Sequence, residues 1–313
     1  MALFKIAGGG GLSNIKEVPF KLEKELQLLT EANLETLFGL EFVSTELERD
    51  GLRIDTLAYD PDSRSFVIIE YKKDQSFSVV DQGVAYLSLM LNNKEVFLVE
   101  YNERRSKSLK RDGIDWSQSK VVFVARSFTN YQQLTSGFRD LPIEFWQVTK
   151  YDTGLVSYEQ IRTKKTAAAI KALQTEGVTQ EVVQQVKTYT EADIVPKEGK
   201  TRDLYFAIRE RILSLDSDLK IHVTKTYISF RQPENWRNIF SIAFRVSRLR
   251  VELLRTKPDD LTDPENKVTY IKESVQYWNQ HVSILEVFDM DQIEYAIYIL
   301  QQVLENFRTM KDK

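Results

Sequence analysis

The sequence has no cysteine among its 313 residues, only two histidines, and no apolar run long enough to span a membrane or to serve as a signal core. Without thiols there is no disulfide framework and no thiolate zinc site, a composition suited to a reducing compartment, and the cytoplasm is the expected location. His222 and His281 stand far apart with no third imidazole near them, so they are expected to be structural. They offer neither a histidine metal centre nor a Ser-His-Asp triad, and hydrolytic chemistry would have to rest on carboxylates. Positive charge is also scarce. Against 46 Asp and Glu there are 43 Lys and Arg, a net charge of −3. No global field draws nucleic acid in, so any such contact needs local basic clusters. The N-terminal stretch offers no membrane span, and no membrane association is expected.

Apolar material, by contrast, is ample. Hydrophobic residues make up 42% of the chain and aromatics 11%, enough for more than one core, and the length favours two domains. Near the start, Gly8 to Gly11 form either a native flexible loop or an appended remnant. From Phe20 to Leu40, Leu22, Leu26, Leu29, Leu34, Leu37 and Phe38 recur at helical spacing, with Asn33 as a break or cap. Leu52 to Tyr59 and Phe66 to Lys72 read as two strands joined through the turn formers of Asp60-Pro-Asp-Ser-Arg-Ser, hence a β-hairpin. Val79 to Leu91 predicts a helix. Glu95 to Tyr101, Val121 to Arg126 and Ile143 to Thr149 predict further strands, with a helix over Tyr131 to Phe138. Arg162 to Lys200 turns polar and aromatic-poor and ends in Pro196-Lys-Glu-Gly-Lys, as a partly helical linker would. Beyond it come a helix over Arg202 to Leu215, strand-like runs at Leu219 to Phe230, Ile239 to Val246, Leu249 to Leu254 and Val282 to Val287, and a last helix capped by Asp289 or Asp291. The expected layout is a first domain over 1–162, a linker over 163–200 and an α+β domain over 201–313.

One stretch concentrates charge inside apolar sequence: Arg53-Ile-Asp-Thr-Leu-Ala-Tyr-Asp, the turn, then Phe66-Val-Ile-Ile-Glu-Tyr-Lys-Lys. Side chains alternate along a strand, so Glu70 and Lys72 share a face with Phe66 and Ile68. A hairpin symmetric about Asp62 and Ser63 sets Asp55 opposite Glu70, with Cβ atoms on the order of 5 Å apart. Two facing carboxylates repel unless a cation compensates them, and a hard divalent ion such as Mg2+ takes carboxylates together with water and substrate phosphate. Lys72 then stands ready to assist the attacking water or to stabilise negative charge on a phosphate. The predicted reaction is phosphodiester hydrolysis.

Asp55, a turn and Glu70-Tyr71-Lys72 resemble the pattern of the PD-(D/E)XK nuclease superfamily, although Ile54 stands where the hallmark proline would be. The resemblance spans roughly Phe20 to Ile161 and implies an α/β fold, a restriction-endonuclease-like mixed sheet flanked by helices, followed here by a separate smaller α+β domain. Glu23-Lys-Glu-Leu resembles the first-helix motif of Holliday junction resolvases and mismatch endonucleases. That makes Glu23 the further acidic ligand, with Glu35 in reserve. In Val80-Asp-Gln-Gly-Val-Ala-Tyr-Leu, Gln82 and Tyr86 share a helical face, and in related nucleases that glutamine lies beside the active site. The resemblance thus implies a site of Asp55, Glu70, Lys72, Gln82 and Glu23, with the Tyr71 backbone carbonyl as one more ligand, Mg2+ or Mn2+ as cofactor and DNA as partner. The second half resembles a small uncharacterised domain that follows nuclease-like domains in bacterial proteins. A homodimer, and a protein partner for the C-terminal domain, are compatible with this layout.

Blander readings stand beside these. Asp55 and Glu70 would then pair with Arg53 or Lys73 on a solvated sheet edge, Lys72 and Lys73 would guard an edge strand, and Glu23 would lie on an exposed helix face. Tyr86 reads as a core aromatic with its hydroxyl at the rim. The run from Arg104 to Arg111 is either a phosphate contact or a solvated loop. Arg245, Arg248, Arg250, Arg255 and Trp236 form either a nucleic-acid face or the exposed side of an antiparallel sheet. The acidic net charge favours a noncatalytic binding module on the same fold.

Overall fold

Apolar spacing after Phe20 resolves into two short helices, α1 (Glu23–Glu31) and α2 (Leu34–Phe38), with Asn33 at the break. Gly39 ends α2 in the left-handed conformation, φ 68°, where the lack of a Cβ costs nothing. The computed structural model describes residues 3–72, 79–129, 132–133, 142–161, 189–232 and 237–310. They fall into two compact units, Met1–Asp60 with Arg64–Thr188, and Pro61–Ser63 with Tyr189–Lys313. Their architecture is a helix-flanked mixed sheet and a separate, smaller α+β unit.

The first unit begins with a two-stranded hairpin, β1 (Leu3–Ile6) and β2 (Leu12–Ile15), followed by β3 (Glu17–Val18). Gly9 and Gly10, at φ 92° and 84°, let the chain turn between β1 and β2. The main strands are β4 (Glu41–Arg49), β5 (Leu52–Asp60), β6 (Ser65–Lys72), β7 (Lys120–Ala125), β8 (Ile143–Tyr151) and β9 (Val156–Gln160). They run in the order β3-β8-β7-β6-β5-β4, with β9 paired to β8. The pairs β6–β7 and β7–β8 are parallel and the others antiparallel.

Helices α3 (Val79–Asn92) and α4 (Lys94–Arg105) form the crossover between β6 and β7. One core joins Phe66, Ile68, Phe123 and Phe145 of the sheet to Leu87 and Met90 of α3 and Phe97 and Tyr101 of α4. On the other face Phe38 of α2 meets Trp146 edge to face, ring centroids 5.0 Å apart.

The stretch Glu95–Tyr101, expected as a strand, lies inside α4. Its β-branched and aromatic residues favour a strand locally. Phe97, Leu98 and Tyr101, however, fall on one helical side and are buried, whereas Val99 is 51% exposed. Core packing decides. The helix expected over Tyr131–Phe138 lies outside the described residues except for Gln132 and Gln133, which are helical. Five strands of this unit were not anticipated, β1, β2, β3, β4 and β9. For β4 a signal existed: Asp50-Gly51 joins Arg49 to Leu52 as a two-residue loop with both φ values positive, 49° and 76°, which is type I′ hairpin chemistry.

In the second unit α5 (Glu191–Ile194) and α6 (Lys200–Leu215) precede an antiparallel sheet of β10 (Lys220–Val223), β11 (Ile228–Arg231), β12 (Asn238–Phe244), β13 (Leu249–Leu254), β14 (Thr269–Tyr270) and β15 (Val282–Val287). A short α7 (Ser274–Trp278) precedes β15, and α8 (Ile293–Met310) closes the chain. The strand order is β10-β11-β12-β13-β15-β14. Phe240, Ile242, Val251, Leu253, Leu285 and Val287 bury one sheet face against Leu204 and Ile208 of α6 and Leu300 and Val303 of α8. Asp289 caps the last helical segment: a 3-10 turn over Met290–Gln292 leads into α8, and Gln292 Oε1 accepts the Asp289 N–H at 3.3 Å. Among the described residues no helix is long and apolar enough to cross a membrane.

Candidate metal centre

The β5–β6 hairpin has the register read from its turn residues, Asp60↔Ser65 through Thr56↔Ile69. The ladder stops there, one step short of Asp55 and Glu70. In place of a further ladder bond, the Tyr71 N–H donates to Asp55 Oδ2 at 3.1 Å. The pairing with β6 therefore ends one step before the one expected for these two residues, and the Asp55 carboxylate bonds the β6 backbone instead, while β4 still flanks β5 there.

Glu70 is 3% exposed. Its Oε1 accepts from Lys72 Nζ at 2.8 Å and from Gln82 Nε2 at 2.8 Å. Gln82, near the start of α3, also donates to the Tyr86 hydroxyl at 2.9 Å, and that hydroxyl donates to the Arg53 carbonyl at 2.7 Å. Tyr86 is buried, as expected of a core aromatic, but its hydroxyl, expected at the rim, lies inside the network. Burial first, and then the Glu70 charge, raise its phenol far above the ordinary range. The chain Arg53, Tyr86, Gln82, Glu70, Lys72 leaves one atom unprovided for: Glu70 Oε2 is buried and, among the described residues, has no hydrogen-bond partner.

Asp55 carries the complementary sign of crowding. Burial, followed by the Glu70 charge, pushes its carboxyl up to about 6, while the Tyr71 N–H bond and the Lys72 charge pull the other way and Glu23 adds a smaller upward push. A buried carboxylate oxygen without a donor, beside a second carboxyl whose ionisation is resisted, is an environment short of one cation. The donor set consists of hard oxygens, which suits Mg2+ or Mn2+. Asp55 and Glu70 supply oxygens of that kind, and the structure brings Lys72 and Gln82 to Glu70. Glu23 lies on the first turn of α1 and is felt electrostatically by Asp55, but among the described residues no group of three or more His, Asp or Glu side chains could hold a metal ion. Tyr71 enters through its backbone N–H, and Glu35 sits on α2.

Sequence reasoning missed a polar seam beneath β5. Gln27 is 5% exposed and its Nε2 reaches the Asp55 carbonyl, while Thr56 donates to Glu31 at 2.6 Å. The available signal was a glutamine among the inward leucines of α1.

The basic clusters are engaged internally. Arg104 pairs with Glu100 at 2.9 Å, Arg105 with Glu41 at 3.7 Å, and Arg111 with Glu95. In the second unit Arg248 pairs with Glu286 at 2.8 Å and Arg250 with Glu252 at 3.4 Å. Arg255 pairs with Asp62 at 3.5 Å, and Trp236 lies outside the described residues. The His281 Nδ1 meets the Tyr270 hydroxyl at 2.7 Å. A cavity of about 260 Å3 between β4 and the end of α4 is lined by Phe42 to Thr45, Arg104 and Arg105, and none of the carboxylate-site residues borders it.

Over 299 residues the chain is 38% identical to an uncharacterized protein of Haemophilus influenzae (strain ATCC 51907 / DSM 11121 / KW20 / Rd), a match covering 95% of this chain and 97% of that one. The chain belongs to the family of that protein. Within it, residues 190–302 match a domain of unknown function, DUF5655, which coincides with most of the second unit. Among solved structures the chain is similar to a repair endonuclease from Pyrococcus abyssi, at 18% identity, covering 42% of this chain and 49% of that one with a TM-score of 0.28. It is also similar to EndoMS in a complex with dsDNA, at 15% identity, covering 47% of this chain and 64% of that one, again with a TM-score of 0.28. The matches thus span less than two thirds of either structure, and what the site can do is read from its own geometry.

Proposed function

We propose that the first unit is a cytoplasmic, divalent-metal-dependent nuclease that hydrolyses phosphodiester bonds in DNA, in defence or repair. The observation that carries this reading is the buried Glu70 Oε2, unpartnered among the described residues, beside an Asp55 whose charge is resisted. Mg2+ or Mn2+, when bound, would neutralise the carboxylates and draw off charge developing on the phosphate. Asp55 and Glu70 would hold it, with Glu23 and the Tyr71 carbonyl as further ligands. Lys72, fixed 2.8 Å from Glu70, would orient the attacking water or stabilise the phosphate oxygens. Gln82 holds Glu70 in one orientation and passes the constraint to Tyr86 and the β5 backbone. The second unit would recognise substrate or a protein partner.

The direct test incubates the protein and its Asp55→Ala and Lys72→Ala variants with linear, branched and single-stranded DNA, in Mg2+, Mn2+ or EDTA. Metal-dependent cleavage that falls by about 100-fold or more in both folded variants is expected. The net charge of −3 and the internal pairing of the basic clusters favour a second reading, a noncatalytic module on the same fold. Cleavage of none of the substrates, with salt-dependent DNA retention preserved, would select it.

A further inference from the structure

The pairing of β5 with β6 ends at Thr56↔Ile69, so at Asp55 the strand is laddered only on its β4 side, between the pairs Thr45↔Thr56 and Leu47↔Ile54. A side chain of α1 adds a further hold on that backbone. The side-chain amide of Gln27 donates to the Asp55 carbonyl at 2.9 Å and lies 2.9 Å from Glu31 Oε1 and 3.0 Å from Thr45 Oγ1. The Thr45 hydroxyl approaches the same carbonyl at 3.3 Å. An amide has two N–H groups, so it can serve two of these three acceptors at once, and the Thr45 hydroxyl can complete the set. Glu31, in turn, is held by the hydroxyl of Thr56, the residue next to Asp55. Gln27 itself is buried, 5% exposed, although Thr45 at the rim is open to water. It stands one helical turn after Glu23 on α1, and Glu23 is a carboxylate that acts on the charge of Asp55.

We infer that Gln27 is a positioning residue of the carboxylate pair, which ties the Asp55 backbone to α1 and so sets where the Asp55 and Glu23 carboxylates stand relative to Glu70. The inference rests on the metal-centre reading above. Gln27 touches neither metal nor substrate. It acts through the peptide of Asp55, whose carbonyl accepts its side-chain amide N–H. Residues that orient metal ligands in this way typically change metal affinity by about 10–100-fold when replaced.

The test measures Mn2+ binding calorimetrically at pH 7.5 to the full chain, to Gln27→Met and to Thr30→Val. Thr30 makes an ideal control. It sits on the same helix, is fully buried, and bonds the Leu26 carbonyl and the Tyr158 hydroxyl rather than anything at Asp55. Gln27→Met should weaken Mn2+ binding at least tenfold, while Thr30→Val, with a comparable loss of thermal stability, should bind as the wild type does. Equal affinity in all three proteins overturns the inference, as does equal weakening in both variants, which would mean general loosening of α1. If the wild type binds no Mn2+, the metal-centre reading itself fails and the inference goes with it. Should Gln27→Met not fold, Gln27→Asn, an amide one methylene too short to reach the Asp55 carbonyl, carries the same comparison.

Discussion

At Asp55 the fold holds a carboxyl where its charge is unwelcome, and that has a readable thermodynamic sign. A group whose folded pKa, about 6 here, lies above its unfolded value of roughly 3.9 lends stability below pH ~4 and loses it as pH rises through ~6. Removing the charge should therefore stabilise the protein above that window. Asp55→Asn, which keeps an oxygen able to accept the Tyr71 N–H, is expected to unfold a few degrees higher than the wild type at pH 7.5. The gain should be on the order of 1–2 kcal/mol after allowance for solvent screening. It should shrink through pH 6 to 4 and vanish below, as thermal melts across pH would show. Under the proposed function, a carboxylate that costs stability is the usual trade for activity. That Glu70, Lys72 and Gln82 come together was legible from strand alternation, which is a short-range rule, and from the resemblance that put Gln82 beside them. Gln27 was not, since its partner lies 28 residues away and no local pattern marks it.

Among the elements, α3 carries an unusual feature at its centre of packing. A Cβ placed on Gly83 would come 2.5 Å from Ile143 Cδ1 and 3.1 Å from Phe123 Cε2, so the helix approaches β7 and β8 closely at that point. Glycine inside a helix costs about 1 kcal/mol relative to alanine, a cost offset here by contact. Gly83→Val should destabilise the protein by about 1–3 kcal/mol through overpacking. It should also push the adjacent Gln82 away from Glu70, lowering Mn2+ affinity together with the melting temperature. Element identity was legible where packing and propensity agree, as in β5, β6 and β7. It failed at α4, whose Val96, Phe97 and Val99 favour a strand until the sheet of the first unit claims Phe97 and Tyr101. It failed again at β4, where a charged edge strand shows little apolar alternation and only the Asp50-Gly51 turn betrays it.

For the whole molecule, two hydrophobic cores share no residue, one serving the carboxylate-bearing sheet and the other the antiparallel sheet. A ligand that binds one folded unit stabilises it by mass action, about 2.7 kcal/mol at a hundredfold excess over Kd. Saturating Mn2+ should therefore slow amide hydrogen exchange in β5, β6 and α3 while leaving β12, β13 and β15 at their metal-free rates. Protection spread evenly over both units, or over neither, would contradict a metal site confined to the first. The division into two α/β and α+β units was foreseeable from composition, because the polar stretch after Ile161 separates two apolar patterns. The exact pairing order of the second sheet was not, since β13 and β15 are joined across a long excursion that no turn signal encodes.

The parallel pairing of β6 with β7 has a consequence in time. The groups that build the carboxylate site, from Glu23 to Tyr86, lie in one contiguous stretch, whereas β7 and β8 are synthesised later and must return across the α3–α4 crossover to cover it. Such non-local pairings form late in folding. Glu70 is then expected to pass from water into its buried position at a late step, which protonating its neighbour Asp55 should ease. Refolding is thus expected to quicken as pH falls from 7 toward 5, and nascent chains to hold an open, acidic hairpin until the later strands arrive.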